Sequence, residues 1–206
     1  MKEHVKAKQA AIAASVMPVF LRLGFKSVTM DEVARQLKMS KKTLYKYFSD
    51  KNDLVAQTIQ LGIEKDKEQI RALNSQSENA VEELLLVSKY IAQKTRQVHP
   101  SIFFDLEKYY PESWQLFTRF REEYTYQCMM DNLERGKQEG YYRTALPTAM
   151  IARFFIAVMD AMFIMAMDLN NEQPFGDMHL EAVSYHLHSI TNEKGKKMLT
   201  QILDTL

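Results

Sequence analysis

Between Met39 and Leu54 the sequence reads MSKKTLYKYFSDKNDL, which brings Lys41, Lys42 and Lys46 into one short stretch with Tyr45 and Tyr47. Cations and phenol hydroxyls at this density suit attraction to, and hydrogen bonding with, a polyanion. In a helix from Lys41 to Tyr47, Leu44 and Phe48 lie one turn apart and anchor one face. Lys42, Tyr45 and Lys46 then share another face by three- and four-residue spacing, with Lys41 above Tyr45. Lysines attract phosphates and can donate to guanine edges, tyrosine hydroxyls donate to phosphates, and the Thr43 methyl can meet a thymine methyl. A solvated basic helix without a partner is the plainer alternative.

The elements that must hold these side chains are legible in the caps. Thr29 precedes MDEVARQL with Glu32 three residues on, which makes a capping box, and Val33, Ala34 and Leu37 supply the apolar face of that helix. Ser40 is a second N-cap and opens the basic helix; Ser49 or Asp50 is a third and opens a long connecting helix through Leu54, Thr58, Leu61 and Lys65. Upstream, Ile12, Val16, Phe20 and Leu23 give a first helix from about Glu3 to Leu23, closed by Gly24 and expected to kink or break at Pro18. Two short helices joined by a tight turn, the second basic, describe a helix-turn-helix whose second helix enters the major groove. Thr29, Ser40 and the helix N-termini at Met30, Lys41 and Lys51 offer further phosphate contacts.

Charge supports the same division. The first 51 residues carry eleven Lys and Arg against four Asp and Glu, whereas the remainder carries 16 against 22. That is a small polyanion-binding head on an acidic body. The rest is helical in pattern, with segments Ala80 to Lys94, Ile102 to Tyr109, Glu112 to Glu139, Thr148 to Asp168, His179 to Ile190 and from Glu193 on; Pro100, Pro111, Pro147 and Pro174 mark the joints. No alternating strand pattern interrupts them, so the fold class is all-α.

Other chemistries find little material. The single Cys128 cannot form an internal disulfide, which points to a reducing cytoplasm, and it reads as a small apolar residue. His179, His186 and His188 do not converge on one metal, because seven residues of helix separate the first two by roughly 10 Å and the last two point apart; a partly exposed interface helix is the expected home for them. No nucleophile elbow, P-loop or dinucleotide fingerprint is present, so neither an enzyme nor a cofactor is expected. The apolar run Ile151 to Leu169 carries Arg153, Asp160 and Asp168 in one narrow stripe. A mid-helix Asp costs roughly 2.5 to 3.5 kcal/mol on membrane insertion, so no membrane span is expected.

The stretch GFKSVTMDEVARQLKMSKKTLYKYFSDKNDL, Gly24 to Leu54, resembles the DNA-binding domain of TetR-family transcriptional regulators in its Thr-capped helix, its Ser-capped helix with Leu-Tyr-x-x-Phe, and its Lys before the fourth helix. The resemblance implies that Thr29, Tyr45, Tyr47 and Lys51 contact phosphates and that Lys41, Lys42 and Thr43 approach base edges. Two positions depart from the family pattern, Lys38 where Gly often closes the turn and Lys42 where Gly often opens the recognition helix.

The resemblance also implies a three-helix DNA-binding domain over residues 1–50 and a helical effector-binding and dimerisation domain over 51–206. The expected activity is that of a repressor on a palindromic double-stranded DNA operator, acting as a homodimer and released by a small, mostly apolar effector. The helix Thr148 to Asp168 would meet its counterpart at the dimer seam, with Asp160 expected there, and the face of Val183, Leu187 and Ile190 could complete the interface. Phe117, Phe120, Tyr124 and Cys128 align on one helical face, and with Phe104, Phe155, Met159 and Met162 they are candidate effector contacts, although such stripes are also core material. A helix-turn-helix protein whose C-terminal domain is solid is the alternative.

Overall fold

In a computed structural model, residues 2–96, 98–99, 101–167 and 173–205 are described; Pro100 and Asp168 lie outside them. The described residues form α-helices and one π-helical turn, without a strand; Tyr142 and Thr191 make an isolated bridge. The fold is all-α.

The chain divides into two compact units, Met1–Lys67 with Gln97–Arg119, and Glu68–Arg96 with Phe120–Leu206. In the first, α1 (Lys2–Leu23) buries Ile12, Val16 and Phe20 but leaves Leu23 47% exposed, so the apolar stripe ends one turn before the helix does. Pro18 lies inside α1 without breaking it. Its side chain is exposed, and the carbonyl it leaves unpaired can be met by water. Gly24 closes α1 at φ +84°, the left-handed conformation that glycine adopts without strain.

The short helices follow their caps. Thr29 Oγ1 accepts from Glu32 N (3.2 Å) while Glu32 Oε2 accepts from Thr29 N (2.7 Å), opening α2 (Met30–Gln36). Ser40 Oγ accepts from Thr43 N (3.0 Å) and opens α3. The α-helix there is only Lys41–Leu44; Tyr45–Tyr47 continue as turns, with Lys46 N donating to Thr43 O and Tyr47 N to Leu44 O. Asp50 Oδ1 accepts from Asp53 N, and Asp53 Oδ2 in turn accepts from Ser49 N, at the start of α4 (Lys51–Gln76). Phe20, Phe25, Leu44, Phe48, Leu54 and Val55 form the core at 0–1% exposure. Helices α6 (Ile102–Tyr109) and α7 (Pro111–Arg119) belong to this unit.

The second unit contains the end of α4, α5 (Ala80–Thr95), a π-helical turn (Phe120–Thr125), α8 (Tyr126–Gln138), α9 (Thr148–Met167), α10 (Phe175–Ile190) and α11 (Glu193–Thr205). The segment expected as one helix from Glu112 to Glu139 is therefore α7, a π turn and α8. Tyr142 sits wholly buried in the core of the second unit, where its hydroxyl donates to Ala80 O and Asn132 Oδ1. Gly136 makes room for that ring, since a Cβ there would lie 2.2 Å from it.

Helix α9 is long and apolar enough, by length and composition, to cross a membrane. One side carries buried Ala152, Phe155, Met159 and Met162, and the other exposes Met150, Phe154, Val158 and Met165. Asp160 does not wait for a partner subunit: Arg121 of the same chain pairs with it, with the guanidinium 4.7 Å from the Phe163 ring.

Candidate nucleic-acid interface and internal cavity

The turn between α2 and α3 is set by backbone hydrogen bonds, Lys38 N to Arg35 O (3.1 Å) and Met39 N to Ala34 O (3.0 Å). Together they make a Schellman closure of α2. Its left-handed position is Lys38, at φ +52°. The departure from glycine therefore leaves the turn in place, with a side chain held where L-residues are disfavoured.

Leu44 and Phe48 are buried beneath α3, and Lys41, Lys42, Tyr45 and Lys46 are exposed above it, with Thr43 and Tyr47 half-buried. Lys42 and Lys46 make no ion pair among the described residues. Lys41 does: its ammonium lies 2.9 Å from Asp31, whose hydrogen bond and charge hold the amine above the usual lysine range. Tyr47 is tied by its carbonyl, which accepts from Gln9 Nε2 (2.7 Å). Ser40 Oγ and Thr43 Oγ1 share a hydrogen bond (2.8 Å), and the Thr29 side chain is taken up in its capping box. Lys51 donates to Lys26 O (3.0 Å) and lies 5.7 Å from the Tyr110 ring, and its partial burial lowers the amine's pKa. These side chains thus differ in freedom: Lys42, Tyr45 and Lys46 project outward, whereas Lys41 and Lys51 must leave a present partner to reach another.

Sequence reading missed the supports. Asp105, on α6, accepts from Lys26 N (2.9 Å), and Tyr110 donates to Phe25 O (3.3 Å), so both brace the turn that follows α1. Gln9 is a third. None carries a local signal, because each partner lies 38 or more residues away.

The second unit holds a partly open cavity of about 100 Å³ whose wall is mostly carbon, drawn from Ile70, Leu84, Val87, Ile91, Phe120 and Phe155. Of the candidate effector contacts, Phe120, Cys128 and Phe155 line it. Tyr124 stacks on Phe120 with ring centroids 5.5 Å apart, while Met159 and Met162 are buried in the adjoining core. Phe104 and Phe117 belong to the first unit, Phe104 exposed and Phe117 stacked on Phe103. Burial raises the pKa of the Cys128 thiol, which makes it a poor nucleophile.

Polar groups also reach the cavity. Glu83 lines it and is paired with Arg135 at 2.8 Å; burial still raises its carboxyl pKa. His179 lines it at 7% exposure and His186 packs edge-on against Phe155, 5.0 Å between centroids. Burial lowers both imidazoles to about 4. The expectation of a partly exposed helix fails for these two residues, because their face of α10 turns into the core; His188 alone is exposed.

Residues 12–58 match the family model described as bacterial regulatory proteins, tetR family. The uncharacterized HTH-type transcriptional regulator YfiR of Bacillus subtilis (strain 168) is 26% identical over 180 residues, covering 84% of this chain and 86% of that protein. Among solved structures, a transcriptional regulator from Cytophaga hutchinsonii superposes with a TM-score of 0.73 at 17% identity, over 90% of this chain and 99% of the other. The regulator FadR from Bacillus subtilis, in complex with stearoyl-CoA, does so at 0.62 and 18%, over 85% and 95%. With a capped α2–turn–α3 unit inside the matched segment, residues 12–58 carry the DNA-binding domain of bacterial regulatory proteins of the tetR family, and the chain is similar along most of its length to HTH-type transcriptional regulators.

Proposed function

We propose that the protein is a ligand-responsive repressor that binds a palindromic operator as a homodimer, through residues 1–50, and is released when a small, mostly apolar effector enters the domain formed by 51–206. The observation that carries the DNA contact is the exposed row of Lys42, Tyr45 and Lys46 above the buried Leu44 and Phe48. Lys42 and Thr43 approach base edges with Lys41. Tyr45, Lys46, Tyr47, Thr29, Ser40 and Lys51 serve the phosphates. Two such heads on a two-fold dimer sit about 34–36 Å apart on the operator, one turn of B-DNA.

Dimerisation is supported by α9, whose exposed Met150, Phe154, Val158 and Met165 recur at helical spacing and make an apolar face of the kind that proteins cover with a partner. Effector binding is supported by the cavity and by a structural relative that was solved with stearoyl-CoA. Because α4 runs through both units, effector binding shifts it and changes the head spacing, weakening the operator complex by roughly 1 to 3 kcal/mol. The protein works in the cytoplasm and performs no catalysis.

The size of the cavity favours a second reading, a helix-turn-helix protein with a solid C-terminal domain, since ligand pockets usually run to about 300–1,000 Å³. Selection of bound sequences from random DNA, with and without a metabolite extract, separates the two. A palindromic consensus weakened by the extract supports the effector reading. A palindrome indifferent to every extract supports the solid domain, and no enrichment at all overturns the proposal.

A further inference from the structure

We infer that the cavity of the second unit takes an uncharged molecule of single-ring size that carries a hydroxyl or amide N–H, and that this group donates to Asn74 Oδ1. The inference rests on the effector reading above and narrows the chemistry of its ligand.

Size comes first. At about 100 Å³ the space is somewhat smaller than an apolar cavity of about 150 Å³ that accepts benzene, so a substituted ring fits after small side-chain movements and a long acyl chain does not. Polarity comes next. Asn74 lines the cavity, whose wall is mostly carbon; its Oδ1 accepts no hydrogen bond from any described residue and is covered by its neighbours, so the same small side-chain movements that admit a ring bring it into reach. A buried acceptor without a donor is a standing cost that a ligand hydroxyl or N–H removes. His179, on helix α10, is a further polar group able to orient the ligand, as donor or acceptor according to tautomer.

Charge decides the rest. Glu83 is the one carboxylate at the wall, and Arg135 already neutralises it at 2.8 Å. A cationic ligand therefore finds no free counter-charge, and an anionic one would be buried beside Glu83. His179 is held neutral by its burial and offers neither sign a partner. Burial of a ring against Phe120 and Phe155 supplies the affinity, and Asn74 supplies the selection.

The test titrates the full-length protein with phenol, toluene, benzoate and benzylamine, followed by calorimetry and thermal shift. Phenol is expected to bind at least about ten-fold more tightly than toluene, with benzoate and benzylamine inert. The N74L variant should bind phenol and toluene alike, and its retained toluene binding reports an intact cavity. Equal binding of phenol and toluene by the unaltered protein, preference for a charged compound, a preserved phenol preference in N74L, or no binding of any probe would each overturn the inference. Phenol binding that leaves operator affinity unchanged instead sinks the effector reading while the site chemistry stands. Operator release by a charged or long-chain compound that excludes phenol from the cavity leaves the effector reading and sinks this one.

Discussion

Lys38 carries a cost that its neighbours tolerate because the closure around it is made by backbone groups. At φ +52° its Cβ crowds the main chain, which glycine would not. The variant K38G is expected to stabilise the protein by about 1 kcal/mol, which raises Tm by roughly 2–4 °C for a chain of this size. A thermal melt checks it, and a lowered Tm would mean that the turn needs the lysine. Lys42 and Lys46 are cations of the candidate interface that make no ion pair among the described residues. Replacing both with Ala should weaken operator binding and reduce the log–log salt slope by about one unit for every phosphate left without its cation at each head, measured by fluorescence anisotropy across a salt series. An unchanged slope would remove the recognition assignment.

His179 and His186 bring a pH dependence whose sign is determined by their burial. Their imidazoles titrate at about 4 in the folded protein, below the ordinary 6.5, so between those values the unfolded chain holds protons that the folded chain does not. Stability is full above pH 6.5 and falls as pH drops toward 4, by about 2 kcal/mol per histidine at pH 5. Urea denaturation at pH 7.5 and pH 5 measures the loss, and H186Q should remove about half of it.

At the scale of elements, the first unit shows how a helix distant in sequence steadies a DNA-binding head. Asp105 is 5% exposed and accepts from Lys26 N, and Gly24 beneath it has no Cβ because one would lie 2.9 Å from the carboxylate. D105A leaves that N–H unmet and should cost about 1–3 kcal/mol, with D105N restoring most of it. Thermal melts of the two variants distinguish the acceptor from mere packing. The boundaries of α2, α3 and α4 were legible because a cap is a contact between residues two to four apart. The shortness of α3 was not, since Tyr45–Tyr47 pass into turns ahead of the buried Phe48 instead of prolonging the helix. The π turn at Phe120–Thr125 likewise interrupts a pattern that periodicity reads as continuous.

For the whole molecule, the exposed side of α9 is the feature a lone chain explains least well. If it is the dimer seam, F154R with V158R should shift sedimentation at micromolar concentration from dimer to monomer and abolish cooperative binding to a palindrome. A variant that stays dimeric would place the seam elsewhere. The pairing of Asp160 with Arg121 within the chain means that the seam has to be judged on its apolar residues, not on that carboxylate.

Read alone, the sequence determined the all-α class, the three caps, the anchors Leu44 and Phe48 and the concentration of positive charge before residue 52, because helical periodicity, capping and composition are local quantities. Only the tertiary structure decided which cations are ion-paired, since Asp31 lies ten residues from Lys41 and no spacing rule pairs them. It alone decided the cavity, whose wall gathers residues from Ile70 to His179, and the fate of the α10 histidines, whose faces could not be told apart until α10 met α5 and α9. The physical reason is the same in each case: hydrogen bonds within a turn of helix are written in adjacent residues, whereas burial is a property of which helices meet.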